Sequence, residues 1–206
     1  MKKLIVMITV IVLSVPIVFG NGEASAAEKF SSKAPESLMK SLQIDSFKLH
    51  VLNSLKDEYP KAHFVDITPV EYLRLKGQKS SVNPSVVPYS SAPPLTYLQV
   101  YAAISTNYPQ YEYFNENQLS SVQDHGGAEM YIVTVELGYG NRPVAKFNGG
   151  QLTETQNQYI DLDGDSIIDG WFRWWDASGS ESGTFTYQNT STNYPWNTMY
   201  DSINIK

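Results

Sequence analysis

The clearest pattern lies in the C-terminal part of the chain, where short apolar and β-branched runs alternate with clusters of Gly, Asn and Asp. Thr96 to Ile104 is a long β-favouring run. Met130 to Leu137 (Met-Tyr-Ile-Val-Thr-Val-Glu-Leu) is apolar on both of its faces, the mark of a central strand. Further strands are expected over Val144 to Phe147, Leu152 to Ile160, Trp171 to Asp176, Thr184 to Tyr187 and Met199 to Ile205, with the polar clusters as turns between them. Short strands at this spacing predict a mainly antiparallel β-sandwich or small barrel over residues 95–206.

The pattern before that domain is different. Ile44, Phe47, Val51 and Leu55 recur at helical spacing, but Phe47, Leu49 and Val51 also alternate, so helix and strand both stand there. His63 to Ile67 reads as a short strand. Thr68-Pro69-Val70-Glu71 is a capping box with proline in the first turn, and Gly77 is a stop, which predicts a helix over 69–76. Residues 27–78 thus form a small mixed or helical module, and the whole chain an α+β protein. Residues 79–94, rich in Pro and Ser, have linker composition.

Charge sharpens this division. Residues 27–91 carry nine basic and seven acidic side chains, whereas residues 92–206 carry four and thirteen. So uneven a split suggests two modules, and the acidic one has no basic track for nucleic acid. At the N-terminus Met1-Lys2-Lys3 precedes the uncharged apolar stretch Leu4 to Phe19 and the small-residue site Ala24-Ser25-Ala26. That order is the secretory pattern, so residues 1–26 are expected to be a cleaved signal peptide and the mature protein to be extracellular. The apolar run is shorter than the roughly 20 residues of a membrane span, and no stable anchor is expected. Cysteine is absent, which removes disulfides, thiol nucleophiles and Cys-based zinc sites; it is also a habit of secreted Gram-positive proteins.

One motif carries specific chemistry. In Asp161-Leu162-Asp163-Gly164-Asp165-Ser166-Ile167-Ile168-Asp169-Gly170, the carboxylates of Asp161, Asp163, Asp165 and Asp169 stand at loop positions 1, 3, 5 and 9, and the Ile167 carbonyl stands at position 7. This is the opening of an EF-hand-type loop, and it predicts a structural Ca²⁺ ion. Ser166 replaces the usual glycine and Phe172 the closing glutamate, so Asp176 or Glu154 is the candidate for the last ligand. The alternative is a solvated turn whose Asp and Gly serve backbone geometry alone.

Catalytic signals are sparse. Asp124-His125-Gly126-Gly127, with Glu129 close by, is either an acid–base corner or a polar turn. No Gly-x-Ser-x-Gly, His-Glu-x-x-His or phosphate-cradling loop occurs. Aromatics supply the other candidate surface. Trp171, Phe172, Trp174 and Trp175 put rings on both faces of one strand, one face for the core and one for either packing or a sugar platform. Tyr111 and Tyr113 fall in an expected loop, and Trp196 near the C-terminus, so Tyr111, Tyr113, Trp174 and Trp196 are the partner-binding candidates.

Together, Ala92-Pro93-Pro94-Leu95-Thr96-Tyr97, Asp124-His125-Gly126-Gly127, Gly138-Tyr139-Gly140, the Asp161 loop and Ser191-Thr192-Asn193-Tyr194-Pro195-Trp196-Asn197 resemble the YolA-like secreted proteins of Bacillus, a domain-of-unknown-function family. The resemblance covers about residues 92–206. It implies an extracellular domain of this length and supplies no catalytic residues. The expected function is a calcium-stabilised β-domain that binds a partner or a cell-surface polymer. The alternative is an extracellular hydrolase or antibacterial toxin acting on cell wall around Asp124 and His125.

Overall fold

The computed structural model describes residues 42–65, 93–165 and 167–206. The signal stretch, the helix expected over 69–76 and nearly all of the 79–94 linker lie outside these residues. Ile44–Leu55 forms helix α1. The helical spacing prevails over the alternating one because it puts Phe47 and Val51 on a single buried face while Leu49 points to solvent.

Among the described residues ten strands follow in chain order: β1 (His63–Val65), β2 (Tyr97–Ser105), β3 (Glu112–Tyr113), β4 (Met130–Leu137), β5 (Val144–Phe147), β6 (Gly150–Gln151), β7 (Thr153–Asp161), β8 (Gly170–Asp176), β9 (Gly183–Thr190) and β10 (Thr198–Ile205). They make a six-stranded sheet, β1-β7-β8-β4-β2-β3, and a four-stranded sheet, β10-β9-β5-β6. Pairing within both sheets is antiparallel. The seven strands expected from the C-terminal pattern are all present. The two short edge strands β3 and β6 are additional, being too brief to show a period.

The six-stranded sheet is covered on both faces. Ile132, Trp175, Phe185, Tyr187 and Ile203 fill the space between the sheets. On the opposite face, Ile104, Val133, Ile160, Phe172 and Trp174 pack beneath α1. A bulge in β2 between Val100 and Ala102 inserts Tyr101. Leu98, Val100 and Ala103 therefore all reach the inter-sheet core, while Tyr101 turns toward the helix. Phe47 is the hub of the second core. Its ring lies 4.9 Å from Trp174, 5.1 Å from Tyr111, 5.4 Å from Phe172 and 5.9 Å from Tyr101. Each buried aromatic contributes about 1.5–3 kcal/mol by area.

The segment before the linker is thus part of the same fold. α1 roofs the sheet and β1 extends its edge by pairing with β7. The domain is β-rich, and its helical content among the described residues is α1 alone. Sequence charge separates the two segments, but apolar packing joins them. Gly138-Tyr139-Gly140 closes the far end of β4. Gly138 has φ +84°, and a Cβ there would strike the Pro94 carbonyl; a Cβ at Gly140 would strike the Asn189 amide.

Candidate functional site

The loop between β7 and β8 begins at the last residue of one strand and ends at the first of the next. One carboxylate oxygen from each of Asp161, Asp163 and Asp169 lies within 4.8 Å of the others. Asp161 is fully buried, Asp169 half-buried and Asp163 exposed. The loop is wound by its own carboxylates. Asp161 accepts the Gly164 amide at 2.7 Å, Asp169 the Leu162 amide at 2.7 Å and Asp163 the Asp165 amide at 3.1 Å. Asp165 is not in the converging trio; it accepts the Ile167 amide at 2.7 Å. Ile168 is buried, as its loop position predicts, and the Ile167 side chain is half exposed.

Burial pushes the Asp169 carboxyl above its ordinary value. The charges of Asp163, Asp161 and Asp165 push the same way, and the Leu162 amide opposes them. The imidazole of His63 stands 3.8 Å from Asp161. The expected closing ligands are not at hand. Glu154 and Asp176 lie at the opposite end of the β7–β8 pair, where Glu154 faces Trp175 and Thr153 faces Asp176. Seven residues of strand put Glu154 roughly 20 Å from Asp161. Glu154 instead binds Arg173 at 2.9 Å, and Asp176 accepts the Ser178 amide. Among the described residues, Asp161, Asp163 and Asp169 are the side chains grouped to hold an ion.

His125 has partners that sequence reading did not find. Its Nε2 lies 2.9 Å from Glu112 Oε2 and its Nδ1 3.3 Å from Ser105 Oγ. With Nε2–H donating to the carboxylate, Nδ1 accepts the serine hydroxyl. Asp124 is exposed, and the carboxylate that meets the imidazole is Glu112's rather than that of Asp124 or Glu129. The order Ser–His–Glu is that of an acyl-transfer triad. Its setting is different, because Ser105 and His125 have no exposed surface and Ser105 Oγ already accepts the Tyr108 amide at 3.1 Å. A nucleophile must touch its substrate, and this one is covered. Glu112 also accepts the Val122 and Gln123 amides at 2.6 and 2.9 Å, and the His125 amide donates to the Lys206 carbonyl at 2.7 Å. The cluster works as a clasp that fastens the 118–125 loop and the C-terminus to β2 and β3. Burial lowers the His125 pKa, against the opposing hydrogen bond and charge of Glu112 and the charge of Asp124.

Three of the four partner-binding candidates are drawn into the core beneath α1. Trp174 is wholly buried, and its indole N–H donates to the Tyr111 hydroxyl at 2.9 Å. That hydroxyl donates in turn to the Leu42 carbonyl at 2.7 Å. Tyr113 is half-buried and stacks on His50 at 3.6 Å. Neither face of β8 is a platform, since α1 covers one and the second sheet the other. Trp196 is the exception. It is 64% exposed, and its ring meets that of Tyr194, 76% exposed, at 5.5 Å and a right angle.

A buried ionic network supports the loop that carries this pair. Glu136, 1% exposed, accepts Arg173 Nε and Nη2 on one oxygen at 2.9 and 2.7 Å. Its other oxygen accepts the Tyr187 hydroxyl at 2.9 Å and the Asn189 amide at 2.6 Å. Burial drives the Tyr187 pKa far up, and the Glu136 charge adds to it. Asn189 stands two residues before Ser191, where the Tyr194–Trp196 loop begins. Each partner is distant in sequence, so only the lone glutamate in an apolar strand hinted at the network.

Among the described residues the fold is a two-sheet antiparallel β-sandwich with one helix laid over its larger sheet, and its candidate sites are the acidic β7–β8 loop and an exposed aromatic pair. No helix of the described residues is long and apolar enough to cross a membrane. A family model for a domain of unknown function, DUF4879, matches residues 84–205, and the chain belongs to that family. No curated protein matches the chain.

Proposed function

We propose that the protein is an exported, extracellular binding domain that engages a cell-surface polymer or protein partner through Tyr194 and Trp196. One observation carries this reading: two large rings are held edge to face with most of their surface in water. Large aromatics held exposed on a loop are the usual anchors of recognition, since they desolvate cheaply and offer a flat face to a sugar or an apolar side chain. The signal-like first 26 residues and the likeness to YolA-like Bacillus proteins support an extracellular setting. The three converging aspartates support a structural Ca²⁺ ion, which would offset their mutual repulsion and fix the β7–β8 turn.

Co-sedimentation with purified Gram-positive cell wall, together with titration of soluble glycans, tests the reading. Trp196→Ala should weaken binding by about tenfold or more with the fold unchanged. Equal binding by the two proteins would reject it. A second reading, a wall-directed hydrolase or toxin, has the Ser105–His125–Glu112 order for it and the complete burial of Ser105 and His125 against it. On that reading Ser105→Ala abolishes release of soluble wall fragments, while on the binding reading it changes nothing in the assay.

A further inference from the structure

Between α1 and the exposed end of the six-stranded sheet lies a cleft of about 400 Å³. That volume falls within the range of small-ligand sites, roughly 300–1,000 Å³. Its walls are Val51 and Leu55 on the helix side and Tyr101, Val135, Ile160 and Phe172 on the sheet side. Its polar lining includes the half-buried Tyr97, the buried Gln99 and the exposed Glu116, which marks the mouth. Among the described residues, Glu116 is the one charged side chain in the lining, and no Lys, Arg or His contributes to it. At Tyr97 the acceptors outnumber the hydrogens. The Tyr97 hydroxyl lies 2.6 Å from Gln99 Oε1 and 3.2 Å from Glu116 Oε1, and its single hydrogen serves only one of these acceptors. The Gln99 amide nitrogen is committed to the Phe114 carbonyl at 3.0 Å.

We propose that this cleft binds a single-chain amphiphile whose head donates hydrogen bonds, an amine or an alcohol, with the chain on the aromatic and aliphatic floor and the head at Glu116 and Tyr97. The charge at the mouth selects the head. An ammonium completes the acceptor pair and meets the carboxylate, an alcohol does the first only, and a carboxylate meets the like charge of Glu116 with no cation among the described lining residues to answer it. This site is separate from the Tyr194–Trp196 pair, so either reading can fail while the other stands.

The test uses fluorescence of the neutral probe N-phenyl-1-naphthylamine with the full mature chain. Dodecylamine, 1-dodecanol and dodecanoate, equal in chain length and kept below their micellar concentrations, serve as competitors. The amine should displace the probe at concentrations at least tenfold lower than the carboxylate, with the alcohol between them. Glu116→Gln should bring amine and alcohol together. Ser54→Trp should abolish probe binding with near-ultraviolet circular dichroism intact, because Ser54 lines the mouth from the exposed side of α1. Trp196→Ala should change none of this. Three results would overturn the proposal: no probe binding by the folded protein, binding indifferent to Ser54→Trp, or dodecanoate competing as well as dodecylamine.

Discussion

Glu136→Gln is the sharpest test of how the sandwich is held together at the end that carries Trp196. The carboxylate accepts four hydrogen bonds, two from Arg173 and one each from Tyr187 and Asn189, and it is shut off from water. Glutamine keeps the shape but offers one carbonyl oxygen and one NH₂ group. If the oxygen faces Arg173, the new amide points its protons at the Asn189 amide; if it is flipped, they meet the guanidinium. Either way a buried donor loses its acceptor, at about 1–3 kcal/mol. Arg173, only 13% exposed, also loses its nearer counter-charge, and breaking a buried pair costs about 3–5 kcal/mol in all. Glu154 remains on Arg173 at 2.9 Å, which holds the expected loss to the lower half of that range. For a domain of this size the melting temperature should fall by roughly 6–15 °C. Urea unfolding followed by tryptophan fluorescence measures the loss, with Glu154→Gln, removing the more exposed partner, expected to cost about 1 kcal/mol. A Glu136→Gln loss below 1 kcal/mol, or no greater than that of Glu154→Gln, would refute the argument that the network is a buried ionic anchor.

Four further outcomes are expected. Phe47→Ala should cost about 3–5 kcal/mol by urea unfolding, because Phe47 is completely buried among aromatic rings; a loss under 1 kcal/mol would mean that α1 does not close the sheet. Calcium at 10 to 100 times its dissociation constant should stabilise the protein by about 1.4–2.7 kcal/mol over a chelated sample, and Asp161→Asn should remove the difference. An equal melting temperature with and without chelator would count against the ion. His125 is held below its ordinary pKa of 6.5, so the unfolded chain binds that proton more readily. Its contribution to stability is complete above pH 6.5 and is lost as pH falls through the window below that value; His125→Gln should flatten this part of the stability–pH curve, and an unchanged slope would contradict it. Gly138→Ala should destabilise by more than 1 kcal/mol, since it meets both a positive φ and the Pro94 carbonyl; a calorimetric melt unchanged from wild type would show that the turn can relax.

What was legible in the sequence, and what was not, divides along the range of the interactions. The Met130–Leu137 run announces a central strand because both of its faces are apolar, and that follows from local residue types. The Asp161–Asp169 spacing announces a turn able to gather carboxylates because its members are at most eight residues apart. The aromatic strand 171–176 announces burial but not which cover lies on each face. Trp174 reads as a surface candidate until α1, well over a hundred residues earlier, is laid upon it. His125 likewise reads as a lone histidine beside Asp124, because Glu112 and Ser105 reach it only after β2 and β3 pair. The same limit governs the charge pattern. A count that turns from basic to acidic suggests two modules, yet charge sets the surface and apolar area sets the fold. Phe47 and Val51, buried side chains of the basic segment, join it to the acidic sheet together with the β1–β7 pairing. In doing so they help to cover Trp174 fully and Tyr111 and Tyr113 in part, leaving Trp196 as the exposed one of the four candidate rings. They also raise one wall of a cleft that no local motif could have announced.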